Sequence, residues 1–141
     1  MSASPKQVRK VLVVDDDEQY LKLTARTLRM AGYDVVARSN VIGTSAAVVS
    51  ERPDMVLIDV DMPGLDGDRL ALLIQRSVTK TPLLVLYSGM NPKILHERAL
   101  ACGAYASISK GLPPEQFLAS VARVLEGVAE PAAPPGADPK P

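Results

Sequence analysis

The chain has one cysteine, one histidine, one phenylalanine and no tryptophan. A lone Cys102 cannot close an internal disulfide, which suits a reducing compartment. Neither sign of charge is in excess: 16 basic and 16 acidic residues cancel, so there is no basic footprint for nucleic acid. No apolar stretch approaches the roughly 20 residues needed to cross a bilayer. The opening Met1-Ser2-Ala3-Ser4-Pro5 lacks the apolar segment of a signal peptide. The expectation is a soluble cytoplasmic protein with no nucleic-acid or membrane partner. Its 141 residues are enough for one domain with a sizeable core.

What is present is a placement of aspartates. Asp15 and Asp16 end the apolar run Val11 to Val14, and Asp59 ends the run Met55 to Ile58. Short runs rich in branched side chains read as strands buried on both faces. Acids at the ends of two such strands can converge at one edge of a parallel sheet, where open α/β sheets place their chemistry. Crowded carboxylates repel, and a hard divalent cation relieves them.

Strand and helix patterns alternate along the chain. Strands are expected over 11–14, 33–37, 55–58, 83–87 and 104–109. Helices are expected over 18–31, 41–50, 68–77 and 92–101, with a fifth opening at Pro113-Pro114-Glu115. Asp17 is placed to cap the first helix, whose Leu21, Ala25 and Leu28 share a face. The third carries Leu70, Leu73 and Ile74, and the fifth buries Phe117, Leu118, Val121, Val124 and Leu125. Proline is tolerated in a helix's first turn, and Gly32 and Gly103 follow the first and fourth helices as stops. The pattern predicts an α/β fold: (βα)5, a doubly wound three-layer sandwich around a parallel sheet of order 2-1-3-4-5, flavodoxin-like. In that order the first and third strands are neighbours, and Asp15, Asp16 and Asp59 meet. Residues 1–8 read as an N-terminal extension, 9–126 as the domain, and 127–141, dominated by Ala and Pro, as a disordered tail or linker stub.

Four signals in order carry a family resemblance: Val13-Val14-Asp15-Asp16 after the first strand, Leu57-Ile58-Asp59-Val60-Asp61-Met62-Pro63-Gly64-Leu65-Asp66-Gly67 after the third, Ser88 after the fourth, and Lys110 after the fifth. With these the chain resembles the receiver domains of two-component response regulators, from about Lys10 to Leu125. The resemblance implies that Asp59 accepts a phosphoryl group. A carboxylate is a weak nucleophile, so such a site must supply positioning and charge neutralisation. It further implies Mg²⁺ as cofactor, held directly by Asp16, through water by Asp15, by Asp59, and by the backbone carbonyl of Asp61. Few protein ligands suit an ion that keeps its waters. Lys110 is implied to pair with the acceptor and then with the phosphoryl oxygen, and the Ser88 hydroxyl to turn inward onto the phosphoryl group. The segment 62–67 is implied to form a rigid turn. The implied partners are a histidine kinase or phosphotransfer protein and a downstream target on the surface of the fourth helix, fifth strand and fifth helix. The protein would be a signalling module and not an enzyme. With no effector pattern after the domain, output by protein contact is expected.

The sequence departs from the family in two places. Gly111 follows the lysine where proline in a cis peptide is usual. A cis bond without proline costs about 2.5–4 kcal/mol, so a trans peptide is expected. Ser107 stands where an aromatic residue usually swings inward on activation. Tyr105, two residues back on the same expected face, lies about 6.6 Å further along the strand. The expectation is that Ser88 and the loop from Gly89 to Pro92 reorder without an aromatic rotamer change. Met90, apolar and two residues past Ser88, cannot orient a hydrolytic water. His96 is expected to be a solvated surface residue and Cys102 a small buried one.

Three other readings fit less well. A receiver that no longer switches would serve as a docking module. The intact acids oppose that reading, and the missing aromatic favours it. A phosphohydrolase of the haloacid dehalogenase type would share the Asp59-Val60-Asp61 pair, but no acidic pair follows the fourth strand and no cap domain is evident. A flavin carrier would need a phosphate loop where Asp15, Asp16, Asp17 and Glu18 stand, and four acids repel a phosphate.

Overall fold

Apolar runs without polar interruption must be covered on both sides, and the chain covers them with five helices. The computed structural model describes residues 8–61 and 67–127. The elements run β1 (Lys10–Val14), α1 (Glu18–Met30), β2 (Asp34–Arg38), α2 (Thr44–Glu51), β3 (Met55–Asp59), α3 (Gly67–Ser77), β4 (Leu83–Ser88), α4 (Pro92–Cys102), β5 (Ala106–Ser109) and α5 (Pro114–Leu125). All strand pairs are parallel, in the order β2-β1-β3-β4-β5. The expected α/β sandwich and strand order are both present. The tail from 128 onward and most of the turn expected over 62–67 lie outside the described residues.

Side chains of successive strand residues point to opposite faces, so one sheet feeds two cores. Leu12, Val14, Val56, Ile58, Leu84 and Leu86 pack with α2, α3 and α4. Val11, Val13, Met55, Leu57, Val85 and Tyr87 pack with α1 and α5. Every residue of β3 is buried, as a central strand requires.

Where element ends differ from expectation, turn chemistry decides. The second helix starts at Thr44, not at residue 41. The Asn40 side chain takes the Ile42 N–H at 2.9 Å, and Gly43 adopts a left-handed φ of 81°, so the helix cannot begin earlier. The second strand starts one residue later than expected because the Tyr33 N–H closes α1 onto Leu28 O at 3.1 Å. The fifth starts at Ala106, not at 104, because the Ala104 N–H closes α4 onto Ala99 O at 3.0 Å. Tyr105 therefore precedes β5, where it packs half-buried at the margin of the α1–α5 core. On α3 the buried side is Leu70, Ala71 and Ile74, and Leu73 is left 46% exposed. On α5, Leu118 is only half-buried. Asp17 caps α1, accepting the Tyr20 N–H at 3.1 Å.

Candidate functional site: the carboxyl edge of the sheet

Strand register builds the site. Val14 pairs with Ile58, Asp59 with Tyr87, and Ser88 with Ser109. The residues just past those pairs, Asp15 and Lys110, are thereby delivered to the same edge as Asp59 and Ser88. Asp15 is fully buried, Asp59 is 4% exposed, and Asp16 projects outward. One carboxylate oxygen from each of Asp15, Asp16 and Asp59 can lie within 4.8 Å of the others. The acids read from the sequence are thus brought together.

Each buried charge is partly answered. Asp15 Oδ1 accepts the Asp17 N–H at 3.0 Å. Among the described residues its Oδ2 has no well-aligned hydrogen bond, but the Lys110 ammonium stands 2.9 Å away. Asp59 Oδ1 accepts the Asp61 N–H at 3.2 Å, and Lys110 Nζ is 3.5 Å from its Oδ2. Burial nonetheless dominates at Asp59. It pushes the carboxyl from 3.8 up to about 6, against the Asp61 N–H and Lys110, with Asp15 adding to the rise. At Lys110 burial pulls the ammonium down, but Asp15 and Asp59 outweigh it, and the net shift is upward. One lysine among three acids leaves the cluster anionic. Hard oxygen donors, excess negative charge and one exposed ligand at the mouth are a donor set that fits Mg²⁺.

Gly67 starts α3 directly against the acceptor strand. A Cβ there would collide with the Asp59 carbonyl oxygen and lie 2.9 Å from Ile58 Cγ2. Only glycine lets α3 approach Asp59 so closely.

The structure adds features that the motif did not announce. The Ser88 hydroxyl, fully buried, donates to Asp61 Oδ2 at 3.0 Å and accepts the Met90 N–H at 3.1 Å. The Asp61 side chain is therefore engaged, which the sequence left open. No described peptide is cis, so the bond after Lys110 is trans, as expected of Gly111. Lys110 is also flanked by two tyrosines, its ammonium 4.7 Å from the Tyr20 ring centre and 5.3 Å from that of Tyr87. Sequence reading passed over both. The signal for Tyr87 was its position one residue before Ser88, and for Tyr20 its place in the first turn of α1.

His96 is corrected from solvated to half-buried. Its Nε2 is shielded and without a partner among the described residues, beside a cavity of about 140 Å³ that Ser107, Ser120 and Arg123 also line. The small Ser107 leaves that space between α4 and α5. Cys102 is buried, as expected, and its thiol is pushed up by that burial.

Comparison with known proteins agrees with this geometry. The response regulator receiver domain family matches residues 11–122. The alkaline phosphatase synthesis transcriptional regulatory protein PhoP of Bacillus subtilis is 30% identical over 117 residues, covering 83% of this chain and 48% of the relative. The C4-dicarboxylate transport transcriptional regulatory protein DctD of Pseudomonas aeruginosa is 31% identical, over 83% of this chain and 25% of its own length. The chain thus spans half or less of these two relatives. The solved structure of the chemotaxis protein CheY4 of Vibrio cholerae is 27% identical, with a TM-score of 0.75, covering 84% of this chain and 99% of that one. No helix among the described residues is long and apolar enough to cross a membrane. With an acid cluster and lysine at the carboxyl edge of a 2-1-3-4-5 sheet, and the family matched over nearly the whole described fold, the chain belongs to the receiver domains of two-component response regulators, the signalling modules of phosphorelays.

Proposed function

We propose that this receiver takes a phosphoryl group on Asp59, in an Mg²⁺-dependent reaction, from a histidine kinase or phosphotransfer protein. The observation that carries the reading is the arrangement around Asp59: a buried carboxylate at the end of β3, with an ammonium 3.5 Å away and two further acids within reach. Asp16 and Asp59 would hold the ion directly, Asp15 through water, and the Asp61 carbonyl would complete the set. When bound, the ion supplies positive charge against the transferring phosphoryl oxygens.

The chain's own groups do the rest. β3 holds the Asp59 carboxylate at the sheet edge, and the Asp61 N–H fixes its Oδ1, leaving Oδ2 as the attacking oxygen. Attack forms the aspartyl O–P bond as the donor's P–N bond to histidine breaks. Lys110, already between Asp15 and Asp59, follows the new negative charge. Ser88 exchanges its Asp61 acceptor for a phosphoryl oxygen. That exchange frees Asp61 and moves the Met90 amide, carrying the change toward the start of α4. A downstream protein would read it on the surface of α4, β5 and α5, with no aromatic residue swinging in at Ser107.

Beryllofluoride, a phosphoryl mimic, tests this reading. Millimolar Mg²⁺ should raise the melting temperature of the wild type by relieving the acid cluster, and beryllofluoride should raise it further. Asp16→Ala should abolish both gains. With both added, the amides of Asp59, Ser88, Met90 and Lys110 should shift strongly while the Tyr105 ring signals stay fixed. An equal Mg²⁺ response in Asp16→Ala would contradict the metal site.

A further inference from the structure

Lys110 sits in a box with two anionic and two aromatic walls. Asp15 and Asp59 stand 2.9 and 3.5 Å from its ammonium, and the ring centres of Tyr20 and Tyr87 lie 4.7 and 5.3 Å from it. A lysine stem is flexible, and its ammonium would otherwise drift toward solvent. α1 supplies the restraint from two positions one turn apart. Thr24, 3% exposed, shares a 2.9 Å hydrogen bond with the Tyr87 hydroxyl and pins that ring. Tyr20 puts its own ring under the ammonium, and the two rings lie 5.9 Å apart. The Tyr20 hydroxyl also accepts the Gly111 N–H at 3.0 Å, a tie across 91 residues to the backbone that carries Lys110. Tyr20 thus grips the lysine twice, through its side chain and through the next peptide.

We propose that Tyr20 is a positioning residue for phosphoryl transfer: its ring and hydroxyl hold Lys110 over the Asp15–Asp59 edge. The proposal rests on the reading that Lys110 neutralises charge at Asp59. It adds that α1, through Tyr20 and Thr24, sets where that charge sits. A ring under a half-buried ammonium contributes enough to change the population of the productive lysine position severalfold.

The experiment compares wild type, Tyr20→Leu, Tyr20→Phe, Lys110→Met and the Tyr20→Leu/Lys110→Met double variant. Each is phosphorylated by acetyl phosphate at saturating Mg²⁺, and the Lys110 ε-methylene proton shifts are recorded in those that retain the lysine. In the wild type those protons should lie upfield, over the tyrosine rings. Tyr20→Leu should move them toward ordinary lysine values and, with Mg²⁺ saturating, slow phosphorylation about three- to tenfold. Tyr20→Phe should keep the upfield shift, displace the Gly111 amide and slow the reaction less. In the Lys110→Met background the Tyr20→Leu change should have no further effect, because it acts through the lysine. An equal slowing in both backgrounds, or a wild-type rate with unmoved ε-protons, would overturn the proposal. If no protein is labelled, the phosphoacceptor reading fails, and the ε-proton shifts still decide the cage.

Discussion

Lys110→Met should destabilise the metal-free protein by about 3 kcal/mol at neutral pH. Asp15 and Asp59 are almost wholly buried, and the Lys110 ammonium is the one cation within ion-pair distance of either among the described residues. Removing one partner of a buried ion pair leaves uncompensated charge, which typically costs about 3–5 kcal/mol. Here the Asp17 and Asp61 N–H groups still serve the two carboxylates, so the lower end applies. Methionine keeps the apolar stem against Tyr20 and Tyr87, so the loss isolates charge from packing. Urea melts of the two proteins, with and without millimolar Mg²⁺, check the result. Added Mg²⁺ should recover part of the difference, since it answers the same acids. A loss below about 1 kcal/mol, as for an exposed pair, would show that Lys110 does not neutralise a buried site.

Asp59→Asn should have the opposite sign. Burial raises the Asp59 carboxyl to about 6 in the folded protein, above its ordinary 3.8, so folding disfavours its charged form. Between those two values the native state binds more protons than the unfolded state, and stability therefore falls as pH rises through that window. Above about pH 6 the full penalty stands, about 2–3 kcal/mol by the usual conversion. Asparagine removes the charge, keeps the acceptor for the Asp61 N–H, and leaves Lys110 with Asp15. At neutral pH, metal-free Asp59→Asn should be the more stable protein by about 2 kcal/mol, or roughly 5–10 °C in melting temperature. The gap should narrow as pH falls from 6 toward 4, where the folded wild-type carboxyl is already protonated, and close below the ordinary 3.8, where the unfolded one is protonated too. A variant equal to or less stable than wild type at neutral pH would mean that Asp59 carries no such strain.

Much of the fold was legible because burial on both faces leaves a plain mark: Val11 to Val14 and Met55 to Ile58 carry no polar residue, and acids follow at once. The acid cluster was legible for the same reason, since register places whatever follows paired strands side by side. Contacts that do not follow the strand pattern were not. The start of α2 was missed because the Asn40 side chain and Gly43 settle it, and apolar periodicity carries no trace of either. Leu73 looked like core because it follows Leu70 by three residues, yet the face that packs runs through Leu70, Ala71 and Ile74, and Leu73 is turned to the solvent side. His96 looked solvated because Glu97 and Arg98 adjoin it, while its surroundings come from β5 and α5, far along the chain. The link from Ser88 to Asp61 and the seat of Lys110 on Tyr20 each join distant residues through side chains alone. No spacing rule exposes such pairs.

Whether Asp59 receives the phosphoryl group with Mg²⁺ in place is measured directly by intact mass. Wild-type protein and Asp59→Asn are each incubated with acetyl phosphate, in Mg²⁺ or in EDTA. Wild type should gain one phosphoryl mass with Mg²⁺ and none in EDTA, and Asp59→Asn should gain none under either condition. Labelling of Asp59→Asn to the wild-type extent, or labelling of wild type in EDTA, would contradict Mg²⁺-dependent transfer to Asp59.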